Sequence, residues 1–240
     1  MSNTLVIIPT YNEKENIEAI IRAVFSQEKQ FDILVVDDSS PDGTASIVTI
    51  LQNEFTNLFL EIRQEKNGLG TAYIHGFKWA LKKQYDYVIE MDADFSHNPN
   101  DLIKLYNACE LDGADFSIGS RYLDNKINVV NWDFKRLFLS YFASIYVKVI
   151  TKIPIYDTTA GFVCYRRKVL ENIDLNKIKF VGYAFQIEMK FKAWKRKFKH
   201  KEVSVIFTDR KRGTSKMSTS IISEAVFGVI MLRLKGLPTK

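Results

Sequence analysis

The chain has 240 residues, of which 46% are hydrophobic and 26% charged, a composition that suits one large α/β domain and excludes disordered, collagen-like and disulfide-scaffold proteins. Its two cysteines lie far apart in the sequence, which predicts free thiols in a reducing compartment. The sequence shows no secretory signal pattern and no uncharged apolar run of about 18 residues, so we expect neither a leader nor a transmembrane helix.

Positive charge is concentrated late in the chain. The net charge is +6, yet residues 190–216 alone carry eleven Lys and Arg against two acids, a net charge of +9. Such asymmetry indicates an anionic partner, for which a nucleic acid, a phosphorylated ligand and an anionic membrane leaflet are the candidates.

The first 121 residues alternate between strand and helix patterns. Short apolar runs predict strands at 4–9, 31–36, 58–62, 85–91 and 114–119. Helical spacing predicts helices after Asn12 and over 44–53, 68–83 and 99–111. Asn12 and Glu15 are expected to cap the first of these helices. The alternation predicts βαβ units, and therefore an α/β fold with a mostly parallel sheet flanked by helices.

The strand and helix alternation fades after residue 121. Apolar spacing there predicts helices at 132–150, 183–197 and 217–234, and strands at 161–165 and 203–207. The helix at 183–197 has an amphipathic, basic pattern, whereas the last helix is mainly apolar.

Polar and charged residues follow four of the predicted strands. These strand ends are Pro9-Thr10-Tyr11, Asp37-Asp38, Asp92-Ala93-Asp94 and Gly119-Ser120-Arg121. Ligands of open parallel sheets bind beyond the carboxyl ends of the strands. The four strand ends are therefore expected to form one pocket.

Asp92 and Asp94 form the clearest candidate metal site. Two carboxylates at this spacing directly after a strand are costly to bury unless a cation compensates them. Mg²⁺ and Mn²⁺ prefer carboxylate oxygens together with substrate phosphates. The alternative is a solvated turn that caps a helix, and an isolated pair of this kind often has only that role.

Weaker signals lie at the other strand ends. Asp37 and Asp38 are placed to accept hydrogen bonds from a base or ribose, although the following Ser-Ser-Pro-Asp-Gly-Thr also predicts a turn with Asp42 or Thr44 as a helix cap. Tyr11 offers a ring for stacking on a base, and Glu13 a hydrogen-bond acceptor, but taken alone this segment is better explained as a plain loop with a helix cap.

Basic residues supply candidate phosphate contacts. Lys66 stands before a glycine-rich helix start at Gly68-Leu69-Gly70, which suits phosphate binding or simply a tight turn. A later set is Arg121, Arg136, Arg210, Lys211, Arg212 and Lys216. Arginine clusters bind phosphate through paired hydrogen bonds, whereas residues 195–199 are expected to be a solvated basic face. The histidines lack metal-ligand spacing.

Taken together, the motifs resemble one known family. They are IPTYNE (8–13), VDDSSPDGT (36–44), GLG (68–70), MDAD (91–94), GSRY (119–122), TAGF (159–162), GYAFQIEM (182–189) and DRxxGxSK (209–216). In this order they resemble the inverting nucleotide-sugar glycosyltransferases of family 2, which have the GT-A fold. Within that family the chain is most similar to the polyprenyl (dolichyl) phosphate mannose synthases, in their short form without transmembrane helices.

The resemblance implies a role for each matching residue. Pro9, Tyr11, Glu13, Asp37, Asp38, Lys66, Gly70, Asp92 and Gln186 would bind the nucleotide sugar. Asp92 and Asp94 would bind Mg²⁺ or Mn²⁺. Arg121, Arg136, Arg210 and Lys216 would bind the acceptor phosphate, and Asp94, Arg121, Glu188, Arg210 and Lys216 would be catalytic. Ser96 and Ala160 depart from the Gln and Ser that relatives often carry at these positions.

The resemblance also implies a domain division and partners. Residues 1–215 would form the catalytic domain, with a nucleotide-binding half at about 1–121 and an acceptor half at about 122–215. Residues 216–240 would form an amphipathic helix that lies at a membrane interface or closes the core. The implied location is cytoplasmic, peripheral on the cytoplasmic face of a membrane, with a membrane-protein partner or a homo-oligomer left open.

The implied reaction moves a hexosyl group, most simply mannose from GDP-mannose, to a polyprenyl phosphate. One alternative is a polyprenyl phosphate glucosyltransferase that uses UDP-glucose, and another is a family 2 transferase whose acceptor is a sugar hydroxyl. A third is a basic nucleic-acid-binding module, although no known nucleic-acid motif is present and we expect no nucleic-acid partner.

Overall fold

The computed structural model describes residues 3–123, 127–182, 184–209, 226 and 228–234, without the side chains of residues 135 and 136. The strands are β1 (Thr4–Thr10), β2 (Asp32–Asp37), β3 (Leu58–Ile62), β4 (Tyr87–Glu90), β5 (Phe116–Ser120), β6 (Val129–Val130), β7 (Val163–Arg166), β8 (His200–Ser204) and β9 (Phe207–Thr208). The helices are α1 (Ile17–Phe25), α2 (Thr44–Leu51), α3 (Leu69–Lys82), α4 (Leu102–Glu110), α5 (Phe134–Thr151), α6 (Arg167–Asn172) and α7 (Ala184–Lys195). Two 3₁₀ turns cover Pro99–Asp101 and Leu175–Lys177.

Seven strands form one sheet in the order β3-β2-β1-β4-β7-β5-β8. All neighbouring pairs are parallel except those that involve β7, which runs antiparallel to both β4 and β5. β6 and β9 pair as a separate parallel ribbon. The predicted α/β fold with a mostly parallel sheet is confirmed.

The core lies on both faces of this sheet because successive side chains of a strand point to opposite faces. In β1, Leu5 and Ile7 join a cluster that includes residues of α3 and α7. Val6 and Ile8 join a second cluster that includes residues of α1 and α4. A strand that is buried on both faces reads as a continuous apolar run, which is how β1 appears in the sequence.

Two local predictions need correction. Asn12 does not cap the first helix: it has a left-handed φ of 57°, and α1 begins only at Ile17, after a turn in which the Glu13 carbonyl accepts from the amides of residues 16 and 17. The helix predicted as amphipathic is buried along its length from Ala184 to Ala193. Its lysines at 190 and 192 lie inside because their ammonium groups reach backbone carbonyls.

The later elements follow the prediction in outline. The strand predicted at 161–165 is β7, and its direction was not predicted. Most of the predicted final helix lies outside the described residues, but 226 and 228–234 are helical. Within the described ranges, none of the helices is both long enough and apolar enough to cross a bilayer.

Candidate active site

The carboxyl ends of the parallel strands share one edge of the sheet. β1, β2, β4 and β5 run in the same direction, so the polar residues that follow each of them meet at this edge. β7 runs in the opposite direction, so the loop before it, residues 157–162, also lies there. The predicted pocket is therefore built from four strand ends and one strand start.

Asp37 is the structural anchor of the β2 end. It is completely buried, and its Oδ2 accepts hydrogen bonds from the hydroxyls of Thr10 (2.7 Å) and Ser40 (2.6 Å). Its Oδ1 accepts from the Ser40 amide at 2.8 Å. These contacts join the β1 and β2 ends, so the carboxylate fixes the shape of the loop after β2.

Asp38 is held by an arginine that sequence reasoning missed. Arg63, directly after β3, donates from Nε and Nη2 to the two oxygens of Asp38 at 2.6 and 2.7 Å. Its Nη1 donates to Thr71 Oγ1 at 2.8 Å. A planar fork of this kind fixes a carboxylate in one orientation. The available signal was its position: Arg63 ends a strand, as the other site residues do.

The loop after β2 is tied to the loop after β1. Asp42 Oδ1 accepts from the amide and hydroxyl of Thr44, and its Oδ2 accepts from the Lys14 amide. Burial acts to raise the pKa of Asp42, but these hydrogen bonds outweigh it and leave the pKa below its usual value. Thr44 Oγ1 also accepts from the Glu13 amide at 3.0 Å. The N-cap position of α2 is Gly43, without a side-chain cap, so neither Asp42 nor Thr44 is the predicted cap. Asp42 instead fixes the first residue of α2, and Thr44 holds Glu13 near the pocket.

Lys66 and Tyr11 meet beside this loop. The Lys66 ammonium lies 4.1 Å from the centroid of the Tyr11 ring, so two residues predicted to bind the nucleotide sugar are next to each other. The glycine-rich segment after Lys66 is in close contact with the segment around α7. The Gly70 amide donates to the Val181 carbonyl at 2.8 Å, and a Cβ on Gly70 would lie 2.8 Å from Phe185 Cβ. Gly70 therefore allows close packing against α7, and its assignment to the nucleotide sugar stays a prediction.

Asp92 stands in a small polar network. The Tyr73 hydroxyl donates to Asp92 Oδ1 at 3.4 Å, and the Asp92 amide donates to His97 Nδ1 at 3.0 Å. His97 is buried and stacks on Phe162 at 4.7 Å between ring centroids. Burial lowers the pKa of His97, which agrees with a neutral ring whose Nδ1 accepts. His97 thus orients the Asp92 segment, a role that its spacing in the sequence does not reveal.

Asp92 and Asp94 suit a divalent cation that shares its shell with a substrate. Asp92 is about one-third exposed, with 36% of its side chain accessible, and Asp94 Oδ1 accepts from the Ser96 amide at 3.1 Å. Across the described part of the chain, no group of three or more His, Cys, Asp or Glu side chains is arranged to hold a metal alone. Mg²⁺ is commonly bound by one or two carboxylates plus substrate phosphates, and this pair fits that pattern.

Arg121 brings a positive charge to the β5 end of the pocket. It is only 7% exposed, and its Nε and Nη2 donate to the two oxygens of Asp157 at 2.7 and 2.6 Å. Nη2 also reaches Thr159 Oγ1 at 2.8 Å. Burial acts to raise the pKa of Asp157, but the charge and hydrogen bonds of Arg121 outweigh it and hold the pKa below its usual range.

The sequence and fold agree with a known family. The glycosyl transferase family 2 model matches residues 5–174, which is more than half of the chain. The chain belongs to glycosyl transferase family 2. It is 45% identical to a polyprenol monophosphomannose synthase of Mycolicibacterium smegmatis over 97% of this chain and 88% of that protein.

Two further likenesses agree with this assignment. The transferase is 40% identical to an undecaprenyl-phosphate mannosyltransferase of Micrococcus luteus, over 94% of this chain and 91% of that protein. Its fold matches a mannosyltransferase of Pyrobaculum calidifontis solved with GDP-mannose and Mn²⁺, with a TM-score of 0.61, 16% identity, and coverage of 97% of this chain and 73% of that one. The predicted GT-A fold is confirmed.

Gln186, which the resemblance assigned to the nucleotide sugar, and Glu188, which it assigned to catalysis, both lie on α7. Glu188 is buried, and its Oε2 accepts from the amides of Lys179 (2.9 Å) and Phe180 (3.0 Å). Its Oε1 pairs with Lys192 at 2.7 Å. Both oxygens are engaged in holding the loop before α7 and Lys192, and the catalytic role of Glu188 stays a prediction. The Gln186 amide is also buried and has no hydrogen-bond partner within the described residues.

A buried acid and a buried base lie beneath the pocket of the transferase. Glu90, two residues before Asp92, is completely buried. Burial raises the pKa of Glu90 to about 8, although the charge of Lys190 opposes the shift. Nothing in the sequence singled out the acid, Glu90, or the base, Lys190, because packing decides whether a charged side chain is buried.

Several predicted phosphate-binding residues are outside the described structure. Arg210, Lys211, Arg212 and Lys216 lie outside the described residues, as does the side chain of Arg136 in the first turn of α5. Their roles stay predictions.

Proposed function

We propose that this transferase moves a mannosyl group from GDP-mannose to a polyprenyl phosphate. The observation that carries the proposal is the placement of an acidic pair, Asp92 and Asp94, and a buried guanidinium, Arg121, at one edge of the sheet. The names of the relatives at 45% and 40% identity support the same donor sugar and acceptor class.

The donor would occupy the β1, β2 and β4 ends. Tyr11, Glu13 and Asp38, with the backbone at Pro9, would hold the nucleoside, with Asp37 shaping the loop behind them and Lys66 reaching the diphosphate. Asp92 and Asp94 would hold Mg²⁺ or Mn²⁺, which supplies positive charge to offset the negative charge that develops on the leaving diphosphate. The buried Gln186 amide would face the sugar.

The acceptor would approach from the Arg121 side. A phosphate oxygen attacks the anomeric carbon as the bond to the nucleoside diphosphate breaks, so one in-line displacement inverts that carbon. A phosphate monoester is already anionic at neutral pH, so no strong general base is needed. Arg121, with Arg136, Arg210 and Lys216, would instead position the phosphate and offset its charge.

A transfer assay tests this proposal directly. The transferase is offered a short polyprenyl phosphate with labelled GDP-mannose, UDP-glucose or UDP-N-acetylglucosamine, with Mg²⁺, with Mn²⁺ and with a chelator. We expect chelator-sensitive label in the lipid product from GDP-mannose. Lipid product from UDP-glucose alone would favour the glucosyltransferase alternative. Donor binding without lipid product would move the acceptor to a sugar hydroxyl.

An apolar surface supports the membrane part of the proposal. Phe134, Phe138, Phe142, Ile145 and Val149 recur at helical spacing on one face of α5 and are all exposed, Phe134 by 75%. The ring centroids of Phe138 and Phe142 lie 4.1 Å apart, with the rings tilted by 36°. We call these five residues the α5 apolar stripe. Soluble proteins rarely leave an apolar patch of this kind without a partner.

The described C-terminal helical segment extends this surface. The Tyr146 hydroxyl donates to the Val226 carbonyl at 2.9 Å, and Val226, Ile230 and Leu234 are exposed beside α5. We propose that both helices lie on the bilayer surface where the polyprenyl chain is embedded. The two buried free thiols support a reducing compartment, and hence the cytoplasmic face. A homo-oligomer or a membrane-protein partner stays a prediction.

Replacing Phe138 and Phe142 together with serine should weaken membrane binding. Burial of each phenylalanine in the interface stabilises binding by about 1.5–3 kcal/mol, so the bound fraction should fall at least about tenfold. Co-sedimentation with anionic phospholipid vesicles measures it. The matched control replaces Ile50 and Leu111, which are 67% and 74% exposed elsewhere, and should bind normally. Equal binding by both double variants would show that the α5 apolar stripe does not contribute to membrane binding.

A further inference from the structure

A buried lysine holds the loop that partners Arg121. Lys190 of α7 is completely buried, and its ammonium donates to the backbone carbonyls of Thr158 (3.2 Å), Ala160 and Gln186 (3.3 Å). An ammonium group has three donors, so all three are used. Two of them fix the loop that precedes β7.

The same loop supplies the side chains that orient Arg121. Asp157 accepts from the Arg121 amide at 2.9 Å as well as from both forks of its guanidinium. Thr159 accepts from Nη2 of the same group. Lys190 therefore grips the backbone on alternate residues, 158 and 160, while the residues at 157 and 159 face Arg121. The contact at 160 uses a carbonyl, so the alanine at that position does not weaken it.

A second support reaches the start of the loop from the sheet. Glu202 of β8 accepts from the amides of Tyr156 (2.8 Å) and Asp157 (2.9 Å). The loop thus has the Glu202 carboxylate at its start and the Lys190 ammonium further along. The Glu202 carboxylate can only accept hydrogen bonds, so it cannot bind the carbonyls of residues 158 and 160. Within the described residues, only Lys190 donates to these two carbonyls.

Charge explains why a lysine is tolerated there. Burial lowers the pKa of Lys190 to about 8, Glu90 and Asp157 oppose this shift, and Arg121 adds to it. A neutral amine has only two N–H donors, so the three carbonyl contacts fit the charged ammonium form. An interior ammonium is costly to keep unless its hydrogen bonds and nearby acids compensate it, and here both are present.

We propose that Lys190 is a positioning residue for the acceptor-phosphate site: it fixes the 157–160 loop so that Asp157 and Thr159 hold the Arg121 guanidinium in place. This inference rests on the proposed function, because Arg121 is assigned there to the acceptor phosphate. Lys190 also contacts the Gln186 carbonyl on its own helix, but two of its three hydrogen bonds go to the loop beside Arg121, so the acceptor KM is expected to change more than the KM for GDP-mannose.

The test compares Lys190→Met with Lys192→Met in the full chain. Lys192 is a matched control on the same helix: it is also buried, but it pairs with Glu188 and the Lys177 carbonyl, away from the loop. We expect Lys190→Met to raise KM for a short polyprenyl phosphate by about tenfold, as loss of an outer support typically does. The kcat and the KM for GDP-mannose should change by less than about twofold. Lys192→Met should leave the acceptor KM unchanged.

Amide hydrogen exchange gives a second readout without any substrate. The peptide that covers residues 155–162 should exchange faster in Lys190→Met, and not in Lys192→Met. Where Lys190→Met does not fold, Lys190→Gln keeps an uncharged NH₂ group with two N–H donors and should show the same changes in smaller degree. Faster exchange with an unchanged acceptor KM would overturn the positioning role, and so would unchanged exchange. Failure of the wild type to use any polyprenyl phosphate overturns the proposed function instead.

Discussion

Replacing Asp94 with alanine is expected to abolish sugar transfer while leaving the fold intact. Asp94 follows the β4 strand at the pocket edge, where it accepts a hydrogen bond from the Ser96 amide. Loss of that bond costs about 1 kcal/mol of stability. Loss of one of two carboxylates beside the donor diphosphate removes charge stabilisation where it matters most, so kcat should fall by about 10³-fold or more.

The measurement is the transfer assay with a titration of Mg²⁺ or Mn²⁺. Residual activity of Asp94→Ala should require a much higher metal concentration than the wild type. Asp112→Ala is a suitable control, because this acid lies at the surface and pairs with Lys201. A variant with near-normal activity and an unchanged metal response would remove Asp94 from the metal site.

Replacing Arg121 with methionine is expected to damage both stability and acceptor use. The substitution leaves the Asp157 carboxylate completely buried without the fork that compensates its charge. Removal of one member of a buried pair typically costs about 3–5 kcal/mol of the free energy of unfolding. Urea unfolding measures the loss, and the acceptor KM should rise in whatever fraction stays folded.

A double substitution separates the two effects. Arg121→Met with Asp157→Asn removes both charges, so it should recover much of the stability that Arg121→Met loses, but not the acceptor affinity. Recovery of acceptor affinity by the double variant would contradict the phosphate role of Arg121. Equal stability of the two variants would mean that Asp157 finds another partner.

The same pair predicts a pH dependence of stability. The pKa of Asp157 is lower in the folded protein than its ordinary value, so its stabilising contribution is present above the unfolded-state pKa of about 3.9. That contribution is lost as the pH falls through the lower folded-state pKa. The difference in unfolding free energy between wild type and Asp157→Asn should therefore shrink in acid.

The sequence by itself determined the architecture and the outline of the site. The apolar run of β1, the acids after β2 and β4, and the arginine after β5 follow local rules of strand period and strand-end chemistry. Parallel strands bring their carboxyl ends together whatever their order in the sheet, so Tyr11, Asp38, Asp94 and Arg121 could be grouped before any coordinates were known.

Only the tertiary structure showed which charged side chains form ion pairs and hydrogen bonds with each other. Arg63 pairs with Asp38 across 25 residues, and Arg121 pairs with Asp157 across 36. Such contacts depend on where the chain returns, and β7 returns antiparallel between β4 and β5, a placement that no local pattern encodes. For the same reason, the sequence alone suggests that Lys190 belongs to an exposed basic helix, whereas in the structure it is buried and donates hydrogen bonds to two carbonyls of the loop before β7. Local patterns report periodicity, whereas burial and pairing are set by elements that are distant in the chain and close in space.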